Sequence, residues 1–248
     1  MPSLKRLLET LTGREENIFA GLYFMLCKRR YRADFGTFRI PRRWSRPHFH
    51  ARFLNDGYET EERALVARHL GPGDHVLELG ACVGVVSTLT ARRIQGGRHC
   101  VIEANPYLIP TLTENRDHND AHFQIVAGAV TEEPSLTFYL NRNIVGGSAE
   151  RKTGRASRVA GYPLDFVCGR FGPFNTLIMD IEGGESAFIR GYREQLRAFS
   201  KLVIEFHPGI LGAEEVSVLA GILEELGFRR RESIGDVDFW AKADAGSE

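Results

Sequence analysis

The sequence has few cysteines, and this excludes a fold held together by disulfide bonds. Only four occur in 248 residues, and none lies in a Cys-x-x-Cys pair. Small secreted domains that depend on disulfides are much richer in cysteine. The scarcity is typical of a protein in a reducing compartment, and we predict a cytoplasmic location.

The chain also lacks a net charge and a long hydrophobic segment. Lys and Arg together number 32, as do Asp and Glu, so the formal net charge is zero. A protein whose whole surface binds nucleic acid would be strongly basic, so we do not expect a nucleic-acid partner. The apolar run at 18–27 is half the length of about 20 residues that a membrane span requires, and basic residues follow it instead of a signal-peptide cleavage site. We expect neither a signal peptide nor a transmembrane segment.

The first 54 residues differ from the remainder in charge and in periodicity. Leucines at positions 4, 7, 8 and 11 have helical spacing, which is compatible with a contact between copies in a homo-oligomer, a cover on the active site, or peripheral contact with a membrane. Residues 28–52 contain nine Lys/Arg and one acid. This basic segment either binds an anionic partner or packs on the domain as a solvated arm. We predict a basic, partly helical extension at 1–54 and the main domain at 55–248.

From residue 60 onward, short apolar strands alternate with helices. This alternation predicts an α/β, Rossmann-like, doubly wound fold, with a mainly parallel seven-stranded sheet and helices on both faces. Ligands of such folds bind at the carboxyl ends of the strands. Residues 141–158 lack periodicity and predict a long loop, either a lid or a solvated segment. Strands are expected near 75–79, 99–102, 123–126, 136–140, 177–179, 202–206, 228–233 and 237–241, and helices near 60–70, 84–94, 105–118, 185–199 and 214–226.

The glycine pattern of dinucleotide-binding proteins is missing from the turn after the first strand. The turn runs from Glu78 to Gly84, and Cys82 occupies the place of the second glycine in Gly-x-Gly-x-x-Gly. A carboxylate before a glycine turn suits a ligand with a positive charge, and glycine permits close approach of a nucleoside. Glu103 ends the second strand, 23 residues after Gly80, and can accept hydrogen bonds from both hydroxyls of a ribose. Together these features predict a nucleoside site and argue against a dehydrogenase.

Five short motifs occur in order along the chain: Gly57-Tyr58-Glu59, the turn at 78–84, Glu103-Ala104-Asn105-Pro106, Met179-Asp180-Ile181-Glu182-Gly183-Gly184-Glu185, and Ile204-Glu205-Phe206-His207-Pro208. In this order and spacing they resemble the FkbM family of class I S-adenosylmethionine-dependent methyltransferases. The resemblance covers roughly residues 55–242, but the family turn usually reads Asp-Val-Gly-Ala-Asn, so Glu78 and Cys82 depart from it. The change to cysteine removes an amide that could bind the cofactor.

The resemblance implies an enzyme that transfers a methyl group from S-adenosyl-L-methionine to a hydroxyl, most often on a saccharide or a natural-product small molecule. Catalytic roles are expected for Asp180, Glu182 and His207. Cofactor contacts are expected from Glu78, Gly80, Ala81, Cys82, Gly84, Glu103, Ala104, Asn105 and Asp180, and acceptor contacts from Tyr58, Glu59, Ser148, Arg151 and Glu205.

The acidic and imidazole groups at the ends of the later strands allow three interpretations. Glu205 and His207 lie two positions apart on an extended strand and should share a face. In the first interpretation, Asp180 or His207 is a general base for the acceptor hydroxyl. In the second, Asp180, Glu205 and His207 bind a divalent metal such as Mg²⁺, although a metal is not required. In the third, the acids Glu185 and Glu205 cap helices or pair with Arg190 and Arg193.

Other functions stay open at this point. The acceptor atom could belong to an amine, a carboxylate or an RNA, the last bound through the basic segment 28–52. A non-catalytic protein that keeps a nucleoside pocket is a further alternative. The presence of Glu78, Glu103 and Asp180 argues against such a loss of catalysis.

Overall fold

The computed structural model describes residues 18–28, 30–41, 47–140 and 155–242. The leucines at 4–11 and most of the predicted loop, with Ser148 and Arg151, lie outside the described residues. The described chain begins with helix α1 (Ile18–Tyr23) and a π-helical turn (Phe24–Lys28), followed by the antiparallel hairpin of β1 (Arg30–Ala33) and β2 (Gly36–Arg39) and by helix α2 (Pro47–Leu54).

Seven strands form the central sheet, as the sequence predicts. In spatial order they are β11 (Phe228–Ile234), β12 (Val237–Lys242), β10 (Lys201–Glu205), β9 (Thr176–Met179), β3 (Val76–Leu79), β4 (His99–Glu103) and β5 (Gln124–Ala127). Strands β10, β9, β3, β4 and β5 are mutually parallel, and β12 is antiparallel to both of its neighbours. This order places the carboxyl ends of β3, β4 and β9 side by side.

Helices cover both faces of this sheet, and a small second sheet lies beyond β5. The second sheet contains β6 (Ala129–Val130), β8 (Arg155–Tyr162) and β7 (Ser135–Leu140), in that order. The helices are α3 (Thr60–His69), α4 (Val85–Ile94), α5 (Ile109–His118), α6 (Leu164–Phe171), α7 (Glu185–Gly191), α8 (Pro208–Leu211) and α9 (Ala213–Glu225). Within the described residues, no helix has both the length and the apolar character needed to cross a membrane.

Alternate residues of the central strands point into two separate cores. Leu77 and Leu79 pack with Phe188 of α7 on one face. Val76 packs with Leu65 of α3 on the opposite face. Side chains along a strand alternate between faces, so a run of apolar residues is required where both faces are covered. Each large aliphatic side chain buried in this way stabilises the fold by about 1.5–3 kcal/mol.

Several element boundaries differ from the predicted ones. Asn105 and Pro106 do not start a helix: the Asn105 side chain accepts the N–H of Tyr107 in a separate turn, and α5 begins only at Ile109. The helix predicted at 185–199 ends at Gly191 and is followed by a short 3₁₀ turn at Gln195–Ala198. Residues 155–158, predicted as loop, instead form the start of β8, which pairs with β7.

The described part of the extension packs on the main domain. Phe24, Tyr31, Phe38 and Phe53 join one apolar cluster with Val83, which follows strand β3. The cluster therefore contains residues from both sides of the predicted boundary at 54/55. These aromatic residues of the extension thus pack on the main domain.

Two asparagines of α5 bind the main chain of β2. Asn115 Oδ1 accepts the Arg39 N–H at 2.7 Å, and its Nδ2 donates to the carbonyls of Arg39 at 3.0 Å and Val83 at 2.8 Å. Asn119 forms the same pair of bonds with Thr37, at 2.7 and 3.0 Å. Residues four apart on a helix share a face, and residues two apart on a strand share an edge. The amides thus cover the strand edge that β1 leaves open.

We expect Asn115→Ala to lower the free energy of unfolding by about 2–4 kcal/mol. The substitution leaves the Arg39 N–H and the Val83 carbonyl without this partner, and each orphaned buried group costs about 1–3 kcal/mol. Urea denaturation of the full chain measures the effect. Asn55→Ala, at an exposed position, is the control and should change stability by less than about 0.5 kcal/mol. Equal midpoints for the two variants would contradict the docking role.

Candidate active site

A cavity of about 390 Å³ opens at the carboxyl ends of β3, β4 and β9. This volume lies in the range of sites for small molecules and cofactors. Most of the walls come from the turns that follow these strands, from the segment after β5, and from one face of α7. The lining residues include Gly80, Cys82, Glu103, Ala104, Asn105, Gly128, Glu132, Phe138, Asp180, Glu182, Phe188 and Tyr192.

The turn after β3 requires glycine at position 80. Gly80 has φ = +89°, and a Cβ atom there would lie 1.7 Å from the carbonyl oxygen of Asp180. The Asp180 N–H donates to the Leu79 carbonyl at 3.0 Å, so the ends of β3 and β9 are held together at this point. Cys82 also has a positive φ of 50°. The main chain of the turn therefore passes close to Asp180 and forms the floor of the cavity.

Glu103 connects this turn to the end of β4. Its carboxylate accepts the N–H of Cys82 at 2.8 Å and the N–H of Asn105 at 2.7 Å. The residue is only 6% exposed, yet it lines the cavity. Burial raises the pKa of Glu103 to about 7, although the main-chain N–H donors act in the opposite direction. The structure thus places Glu103 where the sequence predicts a ribose acceptor, and adds that the same side chain fixes the turn.

A group of carboxylates surrounds His207 beside the cavity. His207 Nδ1 lies 2.9 Å from Glu185 Oε1, which is completely buried. On the opposite side of the ring, Nε2 lies 3.5 Å from Asp180 Oδ1 and 3.9 Å from Glu205 Oε1. Glu182 Oε2 is 3.8 Å from the same nitrogen. We call Asp180, Glu182, Glu185, Glu205 and His207 the acid–imidazole cluster; it confirms that Glu205 and His207 face the same space.

The cluster holds more carboxylates than its one imidazole can neutralise. Burial, together with the charge of Glu182, raises the pKa of Asp180 well above its ordinary value. Burial and the nearby Asp180 raise the pKa of Glu205 to about 10. Burial alone would lower the pKa of His207, but the hydrogen bond to Glu185 and the surrounding carboxylates raise it. These shifts share one cause: negative charges are crowded in a poorly solvated space.

Two further carboxylates, the half-buried Glu59 and the buried Glu62, extend the negative charge towards α3. Burial and the charge of Glu62 raise the pKa of Glu59 well above its ordinary value. Among the described residues, every ion pair of Asp180, Glu185 and Glu205 is with His207. A positively charged ligand is therefore electrostatically favoured at this end of the cavity.

The comparison with known families agrees with the motifs. The family model described as "Methyltransferase FkbM domain" matches residues 78–230, which is more than half of the chain. The chain belongs to the FkbM methyltransferase family. It is therefore a methyltransferase, as the resemblance implied. No curated protein matches the sequence.

Several solved methyltransferase structures are similar to this FkbM methyltransferase in fold. Fibrillarin from Aeropyrum pernix, in complex with natively bound S-adenosyl-L-methionine, is 13% identical, with a TM-score of 0.45 over 69% of this chain and 67% of that chain. Precorrin-6y C5,15-methyltransferase from Geobacter metallireducens is 12% identical, with a TM-score of 0.46 over 72% and 84%. A methyltransferase from Pyrococcus furiosus is 9% identical, with a TM-score of 0.46 over 95% of each chain.

Three residues expected to bind the cofactor do not line the cavity of the FkbM methyltransferase. The Glu78 carboxylate is directed away from it, because Ser87 Oγ donates to one oxygen at 2.5 Å and His99 Nε2 lies 2.8 Å from the other. Ala81 packs in a small core under α5. Gly84 precedes α4, where a Cβ would lie 2.7 Å from Leu112 Cδ1. These three residues support the turn from the side that faces away from the cavity.

Of the five residues expected to bind the acceptor, one is buried away from the cavity, two lie near Asp180 and His207, and two lie outside the described residues. Tyr58 is buried against Phe53, with ring centroids 4.4 Å apart, and does not line the cavity. Glu59 is an electrostatic neighbour of Asp180, and Glu205 belongs to the acid–imidazole cluster. Ser148 and Arg151 lie outside the described residues.

The predicted pairing of Glu185 and Glu205 with Arg190 and Arg193 is wrong. Arg190 pairs with Glu215 at 3.0 Å, and Arg193 pairs with Glu225, both on α9. Glu185 points in the other direction, towards His207. The buried acids are therefore not neutralised by these arginines.

Sequence reasoning missed part of the cavity wall. Residues 128–132 follow β5, and the rule that ligands bind after strand ends could have identified them. Ala187, Phe188, Gly191 and Tyr192 have the i, i+3, i+4 spacing of one helix face, which is a readable signal. Leu136 and Phe138 alternate on β7, but nothing local shows that this strand reaches the site.

Proposed function

We propose that this FkbM methyltransferase transfers the methyl group of S-adenosyl-L-methionine to a hydroxyl of a saccharide or another small molecule. The observation that carries the proposal is that Glu103, the last residue of β4, and Asp180, the residue after β9, line one cavity. Glu103 would bind a nucleoside at one end. Asp180 also belongs to the acid–imidazole cluster, where a reacting acceptor would lose its proton.

The cavity suits the cofactor chemically. Two main-chain N–H groups orient the Glu103 carboxylate, which keeps lone pairs for the hydroxyls of a ribose. The apolar side chains of Leu136 and Phe138 line the same cavity and offer a surface for an adenine ring. The close main-chain turn at Gly80 leaves room for the amino-acid part. When bound, S-adenosyl-L-methionine supplies an electrophilic methyl group on a positively charged sulfur, which the carboxylate of Asp180 favours.

The acid–imidazole cluster accounts for the acceptor side of the reaction. An alcohol oxygen is a weak nucleophile, so its proton must be removed while the C–O bond forms and the C–S bond breaks. Asp180 and Glu182 line the cavity and also face His207, so an acceptor held there would lie beside several proton-accepting groups. Proton removal of this kind contributes about 10²–10⁴-fold to rate. Holding the acceptor in line with the methyl group contributes further.

Calorimetric titration of the full chain with S-adenosylhomocysteine tests the cofactor part of the proposal. We expect micromolar affinity for S-adenosylhomocysteine and no binding of NAD, because the phosphate-binding glycines are absent. Failure of S-adenosylhomocysteine to bind to folded protein would overturn the proposal and favour a non-catalytic role.

Transfer of a labelled methyl group tests the acceptor part. Saccharides and other small alcohols are compared with amines, carboxylic acids and RNA as acceptors. We expect label in a base-stable ether. Label in an amine, an ester or RNA would instead assign the enzyme to that acceptor class.

A further inference from the structure

We propose that Asp180, Glu205 and His207 bind one divalent transition-metal ion, with a preference for Mn²⁺ or Zn²⁺ over Mg²⁺. The ion would lie at the acceptor end of the cavity. The role of this ion in methyl transfer rests on the proposed function, but its binding does not. Four separate features of the acid–imidazole cluster support the binding of this ion.

The first observation is the distance between the donor atoms. One ligand atom from each of the three residues lies within 4.8 Å of the others. His207 Nε2 is 3.5 Å from Asp180 Oδ1 and 3.9 Å from Glu205 Oε1. Two atoms bound to one ion at about 2.0–2.2 Å can be at most about 4.4 Å apart. The two Nε2 contacts fit within that limit, although both are too long for good hydrogen bonds.

The second observation is the orientation of the imidazole. The completely buried Glu185 carboxylate holds His207 Nδ1 at 2.9 Å, so Nε2 faces Asp180 and Glu205. Histidines that bind metals are commonly held in this way, with the second ring nitrogen donating to a carboxylate that does not touch the ion. Glu185 is therefore a positioning residue for the ligand.

The third observation is that two buried oxygens have no hydrogen-bond donor. Asp180 Oδ1, the atom nearest to His207 Nε2, is sealed from solvent and unsatisfied within the described part of the chain. The fully buried Glu185 also has one unsatisfied oxygen, Oε2, while its other oxygen contacts His207. Leaving such oxygens unpaired is costly, and a bound cation would satisfy Asp180 directly.

The fourth observation is the mixture of ligand types. An all-oxygen set would suit Mg²⁺ or Ca²⁺, but imidazole favours first-row transition ions such as Mn²⁺, Fe²⁺ and Zn²⁺. Glu182, 3.8 Å from Nε2, is close enough to supply a further oxygen. The three ligand side chains keep 15–28% of their surface exposed, so an ion can enter from solution. A divalent ion here would act as a Lewis acid towards an acceptor oxygen.

Metal binding by the full chain, stripped with a chelator and without cofactor, tests the proposal. Titration with Mn²⁺, followed by the electron paramagnetic resonance signal of free Mn²⁺, should give one bound ion per chain. Zn²⁺ should displace it, and Mg²⁺ should bind at least tenfold more weakly than Mn²⁺. His207→Ala and the near-isosteric Glu205→Gln should each lower the Mn²⁺ affinity at least tenfold, and Glu185→Gln should lower it by about 10–100-fold.

His69→Ala is the matched control, since His69 also contacts a carboxylate, Glu232 at 2.6 Å, but at a distance from the cavity. Its Mn²⁺ affinity should equal that of the native chain. Circular dichroism confirms that each variant is folded, and Glu205→Gln decides the outcome if His207→Ala is not. Absence of stoichiometric Mn²⁺ binding, or equal affinities in native chain, His207→Ala and Glu205→Gln, would overturn the metal site.

S-adenosylhomocysteine titration of the same samples separates the two proposals. Nucleoside binding without Mn²⁺ binding overturns the metal site alone. Mn²⁺ binding that depends on His207 and Glu205, without nucleoside binding, supports the metal site and overturns the proposed function.

Discussion

Gly80→Ala is expected to lower the free energy of unfolding by about 4 kcal/mol or more, and to abolish S-adenosylhomocysteine binding. The added Cβ would lie 1.7 Å from the Asp180 carbonyl oxygen. Main-chain atoms cannot move aside as a flexible side chain can, so the ends of β3 and β9 must separate. The positive φ of +89° adds about 1–2 kcal/mol of strain for a residue with a side chain.

Gly73→Ala separates these two contributions. Gly73 has a similar φ of +94°, but nothing lies within 4 Å of the Cβ that alanine would add. The Gly73→Ala variant should lose only the part of the free energy of unfolding that comes from backbone strain, about 1–2 kcal/mol, and it should keep its affinity for S-adenosylhomocysteine. Denaturant unfolding and calorimetry on both variants provide the measurements. Similar losses of stability in the two variants would show that the contact with Asp180 does not constrain the turn.

Glu103→Gln should weaken S-adenosylhomocysteine binding by about 100-fold. Hydrogen bonds to a charged group contribute about 1.5–3 kcal/mol each, and every 1.4 kcal/mol changes affinity tenfold. The amide keeps the shape of the side chain but offers one acceptor oxygen instead of two. The N–H groups of Cys82 and Asn105 bind different oxygens of the Glu103 carboxylate, so glutamine leaves one of these N–H groups without an acceptor and the turn loses support as well. Glu133→Gln, at an exposed position outside the cavity, is the control and should bind normally.

The pH dependence of binding gives a second measurement on Glu103. The pKa of this carboxyl is raised to about 7, so in the free protein it gains its charge as pH rises through neutrality. The charged form accepts hydrogen bonds from both ribose hydroxyls, and affinity should therefore be higher at pH 8 than at pH 6. Glu103→Gln should abolish this difference. Unchanged affinity and an unchanged pH profile in the variant would refute the assignment of Glu103 to the ribose.

The sequence was informative about the positions of strand ends but not about side-chain direction. Glu103 is the last residue of β4 and Glu78 is the residue before the last of β3, so the sequence pattern places both carboxylates near strand ends and treats them alike. In the structure Glu103 faces the cavity, whereas Glu78 is bound by Ser87 and His99. The difference depends on partners 9 and 21 residues away from Glu78, which local patterns do not specify. Asp180 was placed correctly, because adjacency of its strand to β3 follows from the order of the fold.

The amino-terminal hairpin shows a second limit of sequence reasoning. Its basic residues predict an anion-binding segment or a solvated arm, and they conceal the buried aromatic residues Tyr31 and Phe38 of a β-hairpin. Four-residue strands provide too few alternations to be recognised above such a charge pattern. In the small second sheet, β8 is eight residues long but begins in a segment rich in Arg and Ser, so polar composition alone conceals its start.

The way α5 holds the hairpin has a consequence for how this protein can vary. Asn115 and Asn119 recognise only main-chain atoms of Arg39 and Thr37, and every amino acid except proline presents those atoms identically. Substitutions at positions 37 and 39 therefore leave these main-chain bonds intact, and a change at 39 removes only the exposed ion pair with Glu114 of α5. The two amides have no equivalent substitute. The charge on the outer surface of the hairpin can thus change between descendants of this sequence without loosening the hairpin, which packs with Val83 of the turn after β3.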